Sequence, residues 1–501
     1  MIKKNITPQV ETLEQQNERL RQTVHERDLR IEVLESIIVA FRRKLFGRSC
    51  ERFVPDDPNQ LSLAFEGMET LPEEQLPQPE EINVAYTRKK EARKQPVRES
   101  IPDHLRREEL VIEPENIPAG AVRIGEEVTE KMMFKPGEVY VLRTIRYKYA
   151  LPLGQGIVIA DLPTQVLPRS NAGASLLAFL LVSKYQDHLP FHRILEMFRR
   201  MNVNLSASTV NGWFINVADL LKVLYEALKK EVLGCDYINI DESSMTVMDR
   251  DKPGGTKKGY FWIVRSPVQN QLFFHYQKGS RAQKVVVDLL RTFQGAVQSD
   301  GYGAYDIYEN KKGVLLLGCL AHARRKFEQA LSDDPPRAKY ALNTIQELYA
   351  IERDAQKREL SYDQVKQLRE EKAYPILKGL EKWLDENIRV VLPKSLIGKA
   401  ALYAYNIYPR LVRYVLDGRY KIDNNAAENG IRPLALGRKN YMFCGNDEAA
   451  ERTATIYSLL GSCKLAGVNP MDWLTDVLER IQDHPASKLS ELLPSNWKPN
   501  K

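Results

Sequence analysis

Over the first 45 positions, residues of one stripe recur in alternating steps of three and four: Val10, Leu13, Asn17, Leu20, Val24, Arg27, Ile31, Leu34, Ile38, Phe41 and Leu45. This is an a/d heptad over five repeats, with Asn17 at an a position and Arg27 at a d position. Only another helix can bury such a seam, so a coiled coil joining at least two copies of the chain is expected. FRRKLFGRSCER follows, where Arg42, Arg43, Lys44, Arg48 and Arg52 face only Glu51. Arg43, Lys44 and Arg48 are candidate DNA-phosphate contacts; a solvated cationic helix end is the other reading.

The pattern then breaks. From Phe53 to Glu81 there are eight acids and no Lys or Arg, and from Arg88 to Arg98 six cations and one acid. Opposite charge blocks with little apolar content bury no core, so 53–100 reads as a flexible linker after a 1–52 coiled coil and basic arm. Residues 101–170 alternate in the manner of strands, clearest in EKMMFKPGEVYVLRTIRYKYAL, and predict a small β module. Residues 171–232 turn helical. A helix from about Pro190 to Met201, an NVNLS break and a second helix capped near Ser206 or Ser208 outline a helix-turn-helix. Ser208, Thr209 and Asn211 would then face DNA, although any αα-hairpin has the same outline.

Residues 233–332 carry a different texture. CDYINIDESSMTVM, KKGYFWIVRS and QLFFHYQ predict an antiparallel meander, RAQKVVVDLLRTF a helix, GAVQSD a fourth strand, and LLLGCLAHARRKFEQAL a fifth strand entering a basic helix. That order matches the ribonuclease-H fold. Residues 333–416 read as an α-helical insertion, 417–445 as the second part of the core, and 446–501 as a C-terminal helical region. The fold class expected is a multidomain α+β protein.

Composition sharpens this picture modestly. A chain of 501 residues suggests three or four domains, and 43% hydrophobic with 28% charged residues describes a soluble globular protein. The longest strongly apolar run, ASLLAFLLV at 174–182, is about half of a membrane span, and no signal peptide is evident at the N-terminus. Cys50, Cys235, Cys319, Cys444 and Cys463 include no CxxC pair, which fits reduced thiols in a cytoplasm and offers no zinc site. The net charge of +7 permits a nucleic-acid partner without demanding one.

Three acids stand out chemically. Asp241 sits among Tyr237, Ile238 and Ile240, where a carboxylate is costly unless paired or bound to a cation, and Glu242 points to the opposite face of the strand. Asp300 ends an apolar strand before Gly301 and Gly303; a turn acid is its plain alternative. With first and fourth strands adjacent, the two aspartates would stand together, stable at neutral pH mainly around a divalent metal. Glu428, in DNNAAENGIRPLALGRKN, fits a capping box with Asn425, yet Arg432, Arg438 and Lys439 beside it suit phosphates. Three carboxylates holding two Mg²⁺ or Mn²⁺ ions would activate water or a 3′-hydroxyl and stabilise the leaving oxygen. His322 is a candidate phosphate contact or, equally, a backbone-bonded helix-start histidine; Arg324, Arg325 and Lys326 beside it suit a DNA backbone.

SKYQDHLPFHRILEMF, IDESSM, KKGYFWIV, SDGYGAY, CLAHARRKFEQA and DNNAAENGIRPLALGRKNYMFCGN together resemble transposases of the insertion sequence sixty-six family, the TnpC-type DDE enzymes. The resemblance covers most of residues 170–480 and extends to the N-terminal heptads. It implies a ribonuclease-H-like core whose acidic triad falls on Asp241, Asp300 and Glu428. It also implies 3′-end cleavage and strand transfer on element-end and target DNA, with accessory proteins of the same element. A nucleoid-associated, cytoplasmic, membrane-free protein follows. Typical members carry paired CxxC motifs between linker and core; here residues 101–170 contain no cysteine and only His104, so no zinc is expected. The alternatives are a catalytically silent DNA-binding regulator derived from such an element, and a structure-specific nuclease.

Overall fold

The computed structural model describes residues 101–499 except 119, 136, 153–155, 252–253 and 280. The heptads, the basic arm and the linker lie outside the described residues. The first described unit is a four-stranded sheet of β1 (Arg107–Ile112), β2 (Val122–Lys135), β3 (Glu138–Ala150) and β4 (Ile157–Ile159), ordered β1-β3-β2 with β4 paired to β3. Val141 and Ile145 are buried, and Arg107 and Arg143 share Glu130. Helix α1 (Ala174–Tyr185) packs on β2, stacking Phe179 on Phe134 at 4.1 Å. Its LLAFLLV run is buried nearly all round, which is why it carries no polar stripe.

α2 (Phe191–Arg200), α3 (Ala207–Leu220) and α4 (Lys222–Leu233) follow. Ser206 caps α3, its Oγ accepting the Thr209 amide at 3.0 Å, so the expected helix, break and serine-capped helix are present.

The second sheet is built from β5 (Tyr237–Met248), β6 (Thr256–Ser266), β7 (Gln271–Gln277), β8 (Gly295–Gln298), β9 (Val314–Leu317) and a two-residue β10 (Phe443–Cys444). The order is β7-β6-β5-β8-β9, with β10 beside β5. β5, β6 and β7 run antiparallel, whereas β8 and β9 run parallel to β5. Parallel neighbours need a crossover, supplied by α5 (Gln283–Leu289) between β7 and β8. Helix α12 (Asp447–Leu465) and α4 cover β7; Ser458 and Ser462 of α12 accept its amides at 2.7 and 3.3 Å. α13 (Pro470–Arg480) closes the chain against α1.

Between the sheet and its last helix the chain is helical: α6 (Leu320–Gln329), α7 (Pro335–Lys357), α8 (Tyr362–Leu368), α9 (Tyr374–Asn387) and α10 (Leu396–Val412). α6, α7, α9 and α10 share an apolar core including Ala341, Ile345, Leu348, Leu377, Leu384 and Ala404. A single π-helical turn at 369–373 buries Arg369 against Glu352 and the carbonyls of Tyr414 and Asp417, tying this layer to the chain that returns to the sheet. Helix α11 (Asn425–Tyr441) then lies on β5 and β6. Among the described residues no helix is long and apolar enough to cross a membrane.

Candidate active site

β5 and β8 pair Tyr237 with Ala296, Ile238 with Val297 and Asn239 with Gln298. Asp241 and Asp300 each lie two residues beyond the last of these pairs, and their carboxylates repel. The fully buried Gln298 amide fixes this register. Its oxygen accepts from Tyr237 Oη at 2.5 Å and Asn239 Nδ2 at 2.9 Å; its nitrogen donates to the Gly318 and Lys421 carbonyls at 2.9 and 2.7 Å. One side chain thus ties together β5, the end of β9 and the segment leading into α11. With both ends of its amide bonded twice, Gln298 defines one arrangement rather than weakening the core.

Glu428 reaches the same place on α11. Gly430 lets the helix approach, since a Cβ there would stand 2.4 Å from Ile263 Cδ1, and Ile263 is the cross-strand neighbour of Asp241. Asn424 Nδ2 donates to the Ile240 carbonyl at 3.0 Å, and Arg438 to Ser243 Oγ and the Ser244 carbonyl at 2.9 and 2.6 Å. The helix is therefore clamped to β5 at both ends.

The charges at this point are unbalanced. Burial first, then the carboxylates of Glu242, Asp300 and Glu428, push the Asp241 carboxyl well above the usual carboxylate range. Its Oδ1 accepts the Glu242 amide at 2.8 Å. Asp300 Oδ1 accepts the Tyr302 amide at 2.8 Å, an Asx-type turn, and its carbonyl takes Tyr403 Oη of α10 at 2.5 Å. Gly301, at φ +86°, turns the chain beneath Tyr403. The buried Glu428 gives Oε2 to Arg325 of α6, while Oε1 lies 3.6 Å from His322 Nδ1. The capping box does not form. Asn424 is the N-cap, and Asp423 Oδ1 accepts the Asn425 amide at 3.1 Å, leaving Glu428 to turn inward.

The model of the family described as Transposase IS66 family matches residues 169–452, and that of the IS66 C-terminal element matches 458–495. A third, described as Transposase C of IS166 homeodomain, matches 33–110. The chain belongs to the IS66 transposase family. Similar relatives come from Sinorhizobium fredii (strain NBRC 101917 / NGR234). Uncharacterized protein y4qI is 32% identical over 496 residues, covering 94% of this chain and 90% of that one. Uncharacterized protein y4jD is 29% identical over 504 residues, covering 96% and 98%. IS66 membership makes this chain a transposase of an insertion sequence, DDE-type in general and acting on DNA.

Of the phosphate contacts expected for this IS66 protein, Arg43, Lys44 and Arg48 lie outside the described residues. Ser208 and Asn211 are exposed at the start of α3, and Thr209 Oγ1 sits 2.8 Å from Ser206 Oγ. Arg325 is engaged by Glu428, and Arg438 by β5. Arg432 is half-buried on α11, and Lys439 is exposed near its end. His322 lies against Glu428. Sequence reading missed Cys319, which caps α6 and accepts the Asn424 amide through Sγ at 3.1 Å. The signal in the sequence is the Cys319-x-x-His322 spacing at a strand-to-helix junction. It also missed Arg281 and Tyr305, both bonded to Glu242.

Proposed function

We propose that this IS66 transposase cuts the 3′ ends of its element and joins the freed 3′-hydroxyls to target DNA, using Asp241, Asp300 and Glu428 as its acidic triad. The observation carrying this reading is the gathering of like charges around Asp241, which no basic side chain bonds among the described residues. The 3-2-1-4-5 strand order, with acids on the first strand, two residues past the fourth and on a later helix, supports a ribonuclease-H-like core over 233–332 and 417–445. An all-oxygen donor set of this kind fits hard cations, Mg²⁺ or Mn²⁺, and the repulsion within it is what such ions relieve. Two such ions held by these carboxylates would activate a water or 3′-hydroxyl and stabilise the leaving oxygen.

The protein's own residues prepare the site. Gln298 and the two α11 clamps hold the three carboxylates without an ion, and Arg325 holds Glu428 by one oxygen. Arg432 and Lys439 offer charge to phosphates along α11. The helix-turn-helix-like region at 171–232, with Ser208 and Asn211 exposed, and the arm with Arg43, Lys44 and Arg48 are assigned to element ends, and the 1–52 heptads to pairing of copies. The test is strand transfer on element-end DNA in Mg²⁺. Asp300→Asn should reduce it to background while DNA binding persists; wild-type transfer by that variant overturns the triad. DNA binding with no metal-dependent nicking by the unaltered protein would instead identify a silent regulator.

A further inference from the structure

The start of α6 and the first turn of α11 bring together donors of a different chemistry from the oxygen triad. Cys319 is fully buried at the N-cap of α6, and His322, three residues on, rises from the same side of the first turn. Cys319 Sγ, a ring nitrogen of His322 and a Glu428 oxygen all lie within 4.8 Å of one another. Two polar atoms here are orphans. His322 Nδ1 and Glu428 Oε1 are buried, face each other at 3.6 Å and have no hydrogen-bond partner among the described residues. That separation exceeds a hydrogen bond, and buried polar atoms left unpaired are costly enough to ask what belongs between them.

The surroundings are those of a ligand set. Arg325 occupies Glu428 Oε2, so the carboxylate is turned with Oε1 toward Cys319 and His322. The Asn424 amide donates to Cys319 Sγ, as outer partners commonly do to metal-bound thiolates. A thiolate, an imidazole and one carboxylate oxygen suit Zn²⁺ or Co²⁺, not Mg²⁺, and three protein donors leave a fourth tetrahedral position for water.

We propose that Cys319, His322 and Glu428 bind a borderline-soft divalent cation of the Zn²⁺ class, at a site that shares Glu428 with the oxygen-only site of Asp241 and Asp300. The ion and the thiolate form a bond as the thiol proton leaves to solvent, so binding is proton-coupled. Only the consequence rests on the acidic-triad reading: an ion here draws Glu428 away from the hard-ion site, and Zn²⁺ inhibits the Mg²⁺-supported reaction.

The test uses the full-length protein and Co²⁺ as probe, read by absorption. The unaltered protein should show the near-ultraviolet thiolate-to-cobalt band with tetrahedral visible bands, displaced by Zn²⁺ and not by excess Mg²⁺. Cys319→Ser should lose the near-ultraviolet band, and His322→Gln, with an unchanged thermal melt, should bind Co²⁺ about 10–100-fold more weakly. Asp300→Asn should keep the band in full. No band in the unaltered protein overturns the site, as does an undiminished band in Cys319→Ser, which would place the sulfur on another cysteine. An active Asp300→Asn with the band intact sinks the triad and leaves this site standing; an inactive Asp300→Asn with the band persisting in Cys319→Ser does the reverse.

Discussion

Two adjacent carboxylates on β5 face opposite sides of one sheet and receive opposite treatment. On one side, the buried side chain of Glu242 is bonded by Arg281 and by Tyr305 Oη at 3.0 Å, and the Tyr305 ring meets Trp262, the cross-strand neighbour of Glu242, at 6.3 Å. On the other, Asp241 meets Asp300 and Glu428 and has only a backbone amide to itself. Both carboxyls are pushed up by burial first and both by the Asp300 carboxylate, but only Glu242 has Arg281 and Tyr305 to draw it back down. A buried acid with a cation and a hydroxyl is part of the scaffold. One surrounded by its own kind is relieved by a proton or by a cation, and that contrast distinguishes a site from a core.

The contrast is broken most severely at Asp241. Asp241→Asn should lower metal-dependent nicking by about 10³-fold or more. It should also raise the metal-free stability at neutral pH by about 1–2 kcal/mol, because an amide relieves the repulsion. Parallel nicking assays and urea melts check both; a destabilised variant would mean that Asp241 is a satisfied structural acid. Glu242→Gln should do the opposite, losing about 1–2 kcal/mol in the same melts as Arg281 loses its carboxylate, while nicking in Mg²⁺ persists. Loss of nicking in a folded Glu242→Gln would merge the two faces into one site.

Lys184 supplies the smallest and most discriminating case: a buried charge with no carboxylate partner among the described residues, away from the acids. Its ammonium lies 3.9 Å from the Phe191 ring centre, with Phe214 and Tyr441 at 5.5 and 5.7 Å. Burial lowers its pKa from 10.5 to about 8. Between those values the unfolded chain binds the extra proton, so folding stability rises with pH across that window, and below about 8 the full cost of the buried charge is present. Lys184→Met should therefore be more stable by about 1 kcal/mol at neutral pH, an advantage that shrinks above pH 8. Urea melts at neutral pH and at about pH 10 test this. A pH-independent difference would show that the aromatic box stabilises the cation fully.

Much of this was legible because strands write their faces into the sequence. Alternation placed Asp241 and Glu242 on opposite sides, and the run of strand, strand, strand, helix, strand set β8 beside β5. Glu428 was not legible locally. The Asn425-x-x-Glu428 spacing reads as a capping box, and only Asp423 taking the Asn425 amide, with Arg325 some hundred positions away taking Glu428 Oε2, turns it inward. The candidate cations fared similarly. Arg325 and Arg438 look free in sequence, but Arg325 bonds Glu428 and Arg438 bonds β5, choices made by contacts between distant segments. The Cys319 and His322 pair was visible as a spacing, but its third donor comes from another helix.

The central claim is that the Asp241 face is completed by a hard divalent ion. Anomalous diffraction from crystals grown with Mn²⁺ tests it most directly. Anomalous density bounded by carboxylate oxygens of Asp241, Asp300 and Glu428 is expected. Density absent from that face in a protein that nicks DNA in Mn²⁺ would contradict it.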